Sequence, residues 1–388
     1  MKIYVTGIGV ISAIGFDTTE NFDSLRSLRT GLSKSSKYNV IAGEVPLSND
    51  QLRLGLKKPD HDYSRTTLLA HPAASEAWGT NTQHSNIRTG LISSTSVGGM
   101  DRTEKYYFNT KQSGATNGSK LMVHDNGRTT EAVALELGIS GLISTISTAC
   151  SSGANAIMHG ARLIHGNRLD RVLVGGSEPL AFFDVKGFSS LNIYDKELCK
   201  PFDERRNGLN LGEGAAFLVL ENEHSMSFTG NQPLCILSGW HNATDAYHQT
   251  ASSPDGKGAY LAMFHALEKA AIPPAEVNYV NAHGTGTGNN DLSESMALQK
   301  TFGANMPPFS STKGFTGHTL AAAGSIEAVY CVLSLIHQAT LPNINFKSPI
   351  PETGLIPETC FRSATIQHVI SNSFGFGGNC TCLIFSKA

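Results

Sequence analysis

No run of about 20 apolar residues occurs in this chain of 388 residues, so no membrane-spanning helix is predicted. An excess of either charge is also missing. The 30 Lys and Arg against 32 Asp and Glu leave a formal charge of −2, which offers no basic field for nucleic acid. Seven cysteines, odd in number and without framework spacing, exclude a disulfide scaffold and fit free thiols in a reducing, cytoplasmic setting. Near the N-terminus, IYVTGIGVISAIG is interrupted by glycine and threonine and lacks a following cleavage pattern, which excludes a secretory signal. TGIGVIS lacks the third glycine of a dinucleotide fingerprint, Ser12 standing in its place, and no ribose-binding acid follows at the expected distance. His159, His165, His224, His241, His248, His265, His337 and His368 show no ligand spacing with Cys or acids, so no metal site is expected.

What is present is a chain that is 40% hydrophobic and long enough to bury a large core. Strand-like segments (KIYVTG, RVLVGG, AAFLVLE, VNYVNA, HVISNS, CTCLIF) alternate with helical patterns over residues 129–137, 151–165, 257–271, 291–302 and 325–338. That alternation predicts an α/β architecture with a mixed or parallel sheet. Tyr260, Met263, Phe264, Leu267 and Ala271 fall on one helical face and are expected in the core.

The most informative residue is Cys150. In ISTACSSGANAI a β-branched approach ends in a cysteine, and Ala154, Ile157, Met158, Ala161 and Ile164 recur at the spacing of one helix face. A thiol at a helix N-terminus is expected to have a lowered pKa, and the unpaired N–H groups there can hold an oxyanion. Downstream, His283 sits on the glycine-rich NAHGTGTGNND after a strand-like stretch. Lys313 and His318 lie five residues apart in STKGFTGHTLAAAGS, and SNSFGFGGN supplies a second glycine-rich loop. Cys380 and Cys382 alternate along CTCLIF and read as strand cysteines.

This ordered set, from MKIYVTGIGVISAIG to GFGGNCTCLIF, resembles the elongating β-ketoacyl-acyl carrier protein synthases among the thiolase-fold condensing enzymes. Thiolases carry a second cysteine as base and an Asn-type residue where His283 stands. The initiating condensing enzymes carry Asn where this chain has His318, and chain-length-factor subunits lack the nucleophile. The resemblance implies an α/β, thiolase-like fold: two similar α/β halves packed as a layered α-β-α-β-α sandwich, residues 1–225 and 226–388, joined through the polar ENEHSMSFTGNQP. It also implies roles. Cys150 takes the acyl chain as a thioester, whose oxygen rests between the N–H groups of Cys150 and Phe376. His283 and His318 hold the malonyl thioester carbonyl during decarboxylation. Lys313 gives electrostatic support with Glu294 as its ion-pair partner. Thr285 and Thr287 bind pantetheine; Phe376 with Gly377 forms a gate opposite the wall Phe188.

No cofactor is implied beyond the phosphopantetheine of acyl carrier protein, the expected partner. Lys196, Lys200, Arg205 and Arg206 are candidates for docking that acidic protein. A homodimer is expected, with a chain-length-factor-like subunit as the other option, because the match is weakest over residues 30–125, where relatives carry a longer cap. The chain departs from the family with Gly286 and Gly288 where Ser and Pro are favoured, and with Asn379-Cys380 after GFGG. A non-elongating, decarboxylating subunit is the alternative reading.

Overall fold

The computed structural model describes residues 1–54, 56–57, 61–81, 84–114 and 118–388; the remaining parts of the weakly matched region 30–125 lie outside the described residues. From the N-terminus the elements are β1 (Tyr4–Ser12), α1 (Thr18–Arg26), a ribbon of β2 (Leu32–Lys34) and β3 (Ile41–Gly43), α2 (Asn49–Arg53) and α3 (Arg65–Trp78). There follow β4 (Thr89–Ser94), α4 (Met100–Ser113), α5 (Asn126–Leu137), β5 (Leu142–Ile146), α6 (Ser152–His165), β6 (Arg171–Glu178), α7 (Phe182–Ser190) and β7 (Gly214–Glu221). The polar crossover folds in part as α8 (Glu223–Thr229). It leads to β8 (Cys235–Thr244), α9 (Lys257–Ala270), β9 (Tyr279–Asn281), α10 (Gly288–Phe302), β10 (Phe309–Ser310) and α11 (Lys313–Thr316). The chain ends with α12 (Ala323–His337), the pair β11 (Ala339–Thr340) and β12 (Arg362–Ser363), then β13 (His368–Gly375) and β14 (Asn379–Ser386).

Ten strands are ordered β10-β9-β13-β14-β8-β1-β7-β6-β4-β5. Within this order β1, β7, β6, β4 and β5 pair antiparallel, antiparallel, parallel and parallel. The set β8, β14, β13, β9 and β10 repeats that sequence of pairings. The two sets join where β1 pairs antiparallel with β8, at Tyr4↔Ile236 and Val5↔Cys235. An internal duplication that leaves no visible sequence repeat is therefore plain in the connectivity. α3 and α5 cover one outer face, α9 and α10 the other, and α6 and α12 pack on each other between the two sets, giving the α-β-α-β-α layering.

The central layer is driven by burial. Segment Leu320–His337 is apolar enough by composition to cross a membrane, but 89% of it is buried inside the protein, so it is a core helix. α9 corrects one expectation: its buried face is Gly258, Ala259, Ala262, Met263, Ala266 and Leu267, while Phe264 is exposed and Tyr260 half-buried. Small residues face the sheet there because Gly239 of β8 runs directly beneath; a Cβ on it would lie 2.4 Å from the Ala266 oxygen.

Glycine matters most where α6 meets α12. A Cβ on Gly153 would stand 2.7 Å from the Ser325 nitrogen, and one on Gly324 would stand 2.8 Å from the Ala154 nitrogen. The two helix N-termini thus meet backbone to backbone, just after Cys150 on one chain segment and just after His318 on the other. Replacing Gly324 by Val should cost about 1–3 kcal/mol through overpacking and separate the two segments. Urea unfolding together with acyl-transfer rate measures both; unchanged stability and rate would show that the crossing is not close-packed.

Candidate active site

Cys150 is buried and precedes Ser151, the N-cap of α6. The turn that presents it is tight: Ala149 has φ 52°, a left-handed conformation costing a non-glycine residue roughly 1–3 kcal/mol. Hydroxyls hold it there. Ser152 Oγ accepts from the Thr148 N–H at 2.8 Å and donates to the Ala149 oxygen at 2.5 Å. Ser151 Oγ donates to Asn379 Oδ1 at 2.7 Å, which ties the turn to the start of β14. Asn155 and Asn242 also donate to that Asn379 oxygen, each at 2.8 Å. Gly375 is required at the junction, since its Cβ would come 2.8 Å from the Thr148 oxygen.

The thiol behaves differently from the sequence expectation. Burial pushes its pKa up to about 12, against the Lys313 charge and the N–H groups of Phe376 and Cys150, all of which favour the thiolate. Full desolvation of a thiolate outweighs the partial charges of a helix end. The two N–H groups at the sulfur are the pair expected from the resemblance, and burial keeps the thiol protonated beside them.

His283, at the end of β9, and His318, after α11, both line a cavity of about 140 Å³ together with Cys150. Their rings lie 5.3 Å apart and nearly perpendicular, at 86°. Burial first, then the Lys313 charge, holds both imidazoles well below their ordinary pKa, so both are neutral. Lys313 Nζ stands 3.2 Å from His283 Nδ1 and donates to the His283 carbonyl at 2.5 Å. An ammonium has no acceptor, so Nδ1 accepts and the ring proton of His283 resides on Nε2. His318 is held by its backbone, its N–H donating to the Asn210 oxygen at 2.7 Å and its carbonyl accepting from Gly212 at 3.0 Å.

The ion-pair partner of Lys313 is Glu327 of α12, not Glu294. Glu294 instead accepts from the backbone N–H groups of His283 (2.9 Å) and Gly284 (2.8 Å), so it shapes the histidine loop and never reaches the lysine. Burial pushes the carboxyls of Glu327 and Glu294 up to about 7. Glu327 is missed by motif reading, although a lone acid in the apolar AGSIEAVYCVLSLIH is the available signal, because a buried charge needs a partner.

Thr285 and Thr287 both line the cavity and share a hydrogen bond of 2.9 Å. Phe376 and Phe188, which both line the cavity, stack with centroids 5.6 Å apart and planes at 19°. Gly375 and Gly378 line the cavity, whereas Gly377, at φ 86°, donates its N–H to the Gln249 oxygen at 2.7 Å. Thr250, Ser252, Asn289 and Asn290 complete the polar entrance, where no sequence motif marks them.

A buried cysteine with two N–H groups at its sulfur and two neutral histidines lining the same cavity fits a thiol-based acyl-transferring enzyme. The family comparisons agree. The N-terminal domain model of the beta-ketoacyl synthases matches residues 1–225 and their C-terminal domain model matches residues 234–347. The chain is 32% identical to the 3-oxoacyl-(acyl-carrier-protein) synthase 2 of Staphylococcus aureus, covering 100% of this chain and 98% of that protein. Among solved structures it is similar to the ishigamide ketosynthase/chain length factor (TM-score 0.93, 27% identity, 100% and 99% covered). It is also similar to the ketosynthase ApeO, solved with its chain length factor ApeC from Xenorhabdus doucetiae (TM-score 0.85, 32% identity, 100% and 98% covered). The chain belongs to the beta-ketoacyl synthase family, and its reaction class is ketosynthase condensation.

The neutral histidines have a thermodynamic signature. A histidine held neutral by burial takes up its proton only on unfolding, so its stability is complete above the ordinary pKa of 6.5 and is lost as pH falls below it. Between pH 7.5 and 5.5 the stability of the unmodified protein relative to His318→Gln should drop by about 1.4 kcal/mol. Urea unfolding at the two pH values measures this; an equal difference at both would mean that His318 is not held neutral.

Proposed function

We propose that the enzyme carries out the decarboxylative Claisen condensation of malonyl-acyl carrier protein with an acyl chain on Cys150, giving β-ketoacyl-acyl carrier protein. The observation that carries this reading is the 3.2 Å contact of Lys313 Nζ with Nδ1 of His283, which leaves Nε2 to carry the ring proton in a residue lining the cavity shared with Cys150 and His318. In the first half-reaction the Cys150 sulfur attacks the acyl thioester, the carbonyl oxygen moves between the N–H groups of Cys150 and Phe376, and the pantetheine thiol leaves with the cysteine proton. In the second, the malonyl thioester binds with its carbonyl on His283 and His318, and carbon dioxide leaves. The resulting enolate carbon attacks the Cys150 thioester, the C–S bond breaks, and the released thiolate takes up a proton from solvent to restore the resting thiol. Two aligned donors take the enolate charge, worth about 3 kcal/mol each by analogy with oxyanion-hole deletions.

Thr285 and Thr287 are the pantetheine contacts, and the stacked Phe376 and Phe188 are the gate and its wall. Carrier docking falls to the entrance, where Arg206 donates to the carbonyls of Thr287 (3.2 Å) and Gly288 (2.9 Å). Lys200 and Arg205 contribute less, being paired with Glu197 and Asp203. The acyl groups arrive on the carrier's phosphopantetheine, and the chemistry requires nothing further. The reading includes a cytoplasmic setting, units of residues 1–225 and 226–388, and a dimer. β5 closes one end of the strand order, with Leu142 and Ile143 exposed, an edge that a second subunit can extend. Fatty acid or related polyene synthesis is the first pathway. A type II polyketide or aryl-polyene system with a chain-length-factor partner is the second, favoured by the ketosynthase/chain length factor structures to which the chain is similar.

The half-reactions should separate. His283→Ala or His318→Ala should still acylate Cys150 while slowing decarboxylation about a hundredfold. Cys150→Gln should decarboxylate malonyl-carrier without condensing. Carbon dioxide release and intact-protein mass test both; β-ketoacyl product from Cys150→Gln, or an acyl group on Cys380 or Cys382 with Cys150 free, would overturn the assignment. Phe376→Ala should also let malonyl decarboxylation run before acylation, and substitutions at Phe188 should shift acyl preference. Competition among acyl-carriers measures this, and an unchanged profile at both positions would remove them from the gate.

A further inference from the structure

Cys150 belongs to a small buried apolar cluster with Tyr38, Leu180, Val185, Leu209 and Leu211, against which Phe182 and Phe188 pack. Two cavities are lined in part by residues of that cluster. The active-site cavity touches it at Cys150, Phe188 and Leu209. A cleft of about 710 Å³ touches it at Tyr38, Leu180 and Phe182 and is lined beyond them by charged groups, among them Lys37, Arg65, Asp101 and Lys105. One apolar cluster thus connects the lining of the nucleophile's cavity to that of the cleft.

An acyl chain on Cys150 must run into apolar surroundings, and the cluster supplies them. A third cavity reaches the same cluster at Val40 and Tyr194. That wall is fixed, because the Tyr194 hydroxyl donates to the Ile41 oxygen at 2.7 Å and accepts from the Leu211 N–H at 3.3 Å. Tyr38 is held by its hydroxyl and by Lys37, whose ammonium lies 4.5 Å from its ring centroid. It stands between the ribbon strands β2 and β3, its hydroxyl donates to the Leu180 oxygen at 2.5 Å, and its ring tilts against Phe182 at 5.7 Å.

Resting on the condensing reading above, we infer that Tyr38 is a specificity-determining residue: it forms the floor of the acyl chamber and sets the length of chain that Cys150 accepts. Chains that reach past it enter the charged cleft, so acyl groups with a polar far end are the long substrates best tolerated there.

The test uses the full-length enzyme and a panel of straight-chain and ω-hydroxy acyl-carrier proteins of increasing length, reading the adduct on Cys150 by intact-protein mass. Tyr38→Ala should raise acylation by chains longer than the preferred one about tenfold or more relative to the unmodified enzyme, with the ω-hydroxy series gaining most. Tyr38→Phe, which keeps the ring, should leave the length profile in place. Should Tyr38→Ala fail to fold, Phe182→Ala, a half-buried position on the cleft side, must lengthen the profile in the same sense. A Cys150 adduct with an unchanged length profile in the folded variants would overturn the floor assignment alone. Absence of any adduct in the unmodified enzyme would overturn the condensing reading and this inference with it.

Discussion

Everything catalytic in this molecule depends on the backbone contact between the N-termini of α6 and α12. Gly153 and Gly324 remove the Cβ atoms that would otherwise hold the helices apart, and the chain segments entering those helices carry Cys150 and His318. Each half of the duplicated fold supplies one such helix, so the active site arises where two copies of one motif face each other across the central layer. The asymmetry between them is chemical: one segment presents a sulfur beneath two N–H groups, the other an imidazole.

The electrostatic design follows from burial. In this dry pocket a thiolate and two imidazolium ions would be costly, and the resting state carries none of them. Charge enters through Lys313, whose ion pair with Glu327 lies behind the histidines and not in the cavity. From that position the lysine fixes the tautomer of His283 and disfavours protonation of both rings. In the proposed condensation, neutral N–H donors would stabilise the enolate without transferring a proton to it, which suits a reaction whose intermediate must remain a carbon nucleophile.

Gly286 and Gly288 replace the Ser and Pro expected from the resemblance, yet the histidine loop is not loose. Asp291 accepts from the N–H groups of Thr285 (2.9 Å), Gly286 (3.1 Å) and Phe202 (2.8 Å), while Glu294 accepts from His283 and Gly284. Gly286 sits at φ 80° close to the Gly208 oxygen, where a side chain would collide. Rigidity that a proline would supply through its ring comes here from two buried carboxylates in the first turns of α10.

Cys150, His283, Lys313 and His318 were legible in the chain because each sits in a short motif whose local chemistry is unusual: a thiol before a small-residue helix, and imidazoles on glycine-rich loops after strands. The alternating strands and helices were legible for the same reason, since period and turn residues are local properties. The partner of Lys313 was not, because Glu294 and Glu327 are both plausible by spacing and only the packing of α12 brings Glu327 to the ammonium. Nor was the direction of the thiol's pKa, which depends on how completely the fold removes water from Cys150. Tyr38 carries no motif and becomes significant only when the β2–β3 ribbon lays it beside Leu180. Residue identity determined which atoms can react; the tertiary structure decided which charges meet and how dry the site is, because Coulomb and desolvation energies depend on distances between segments far apart in the chain.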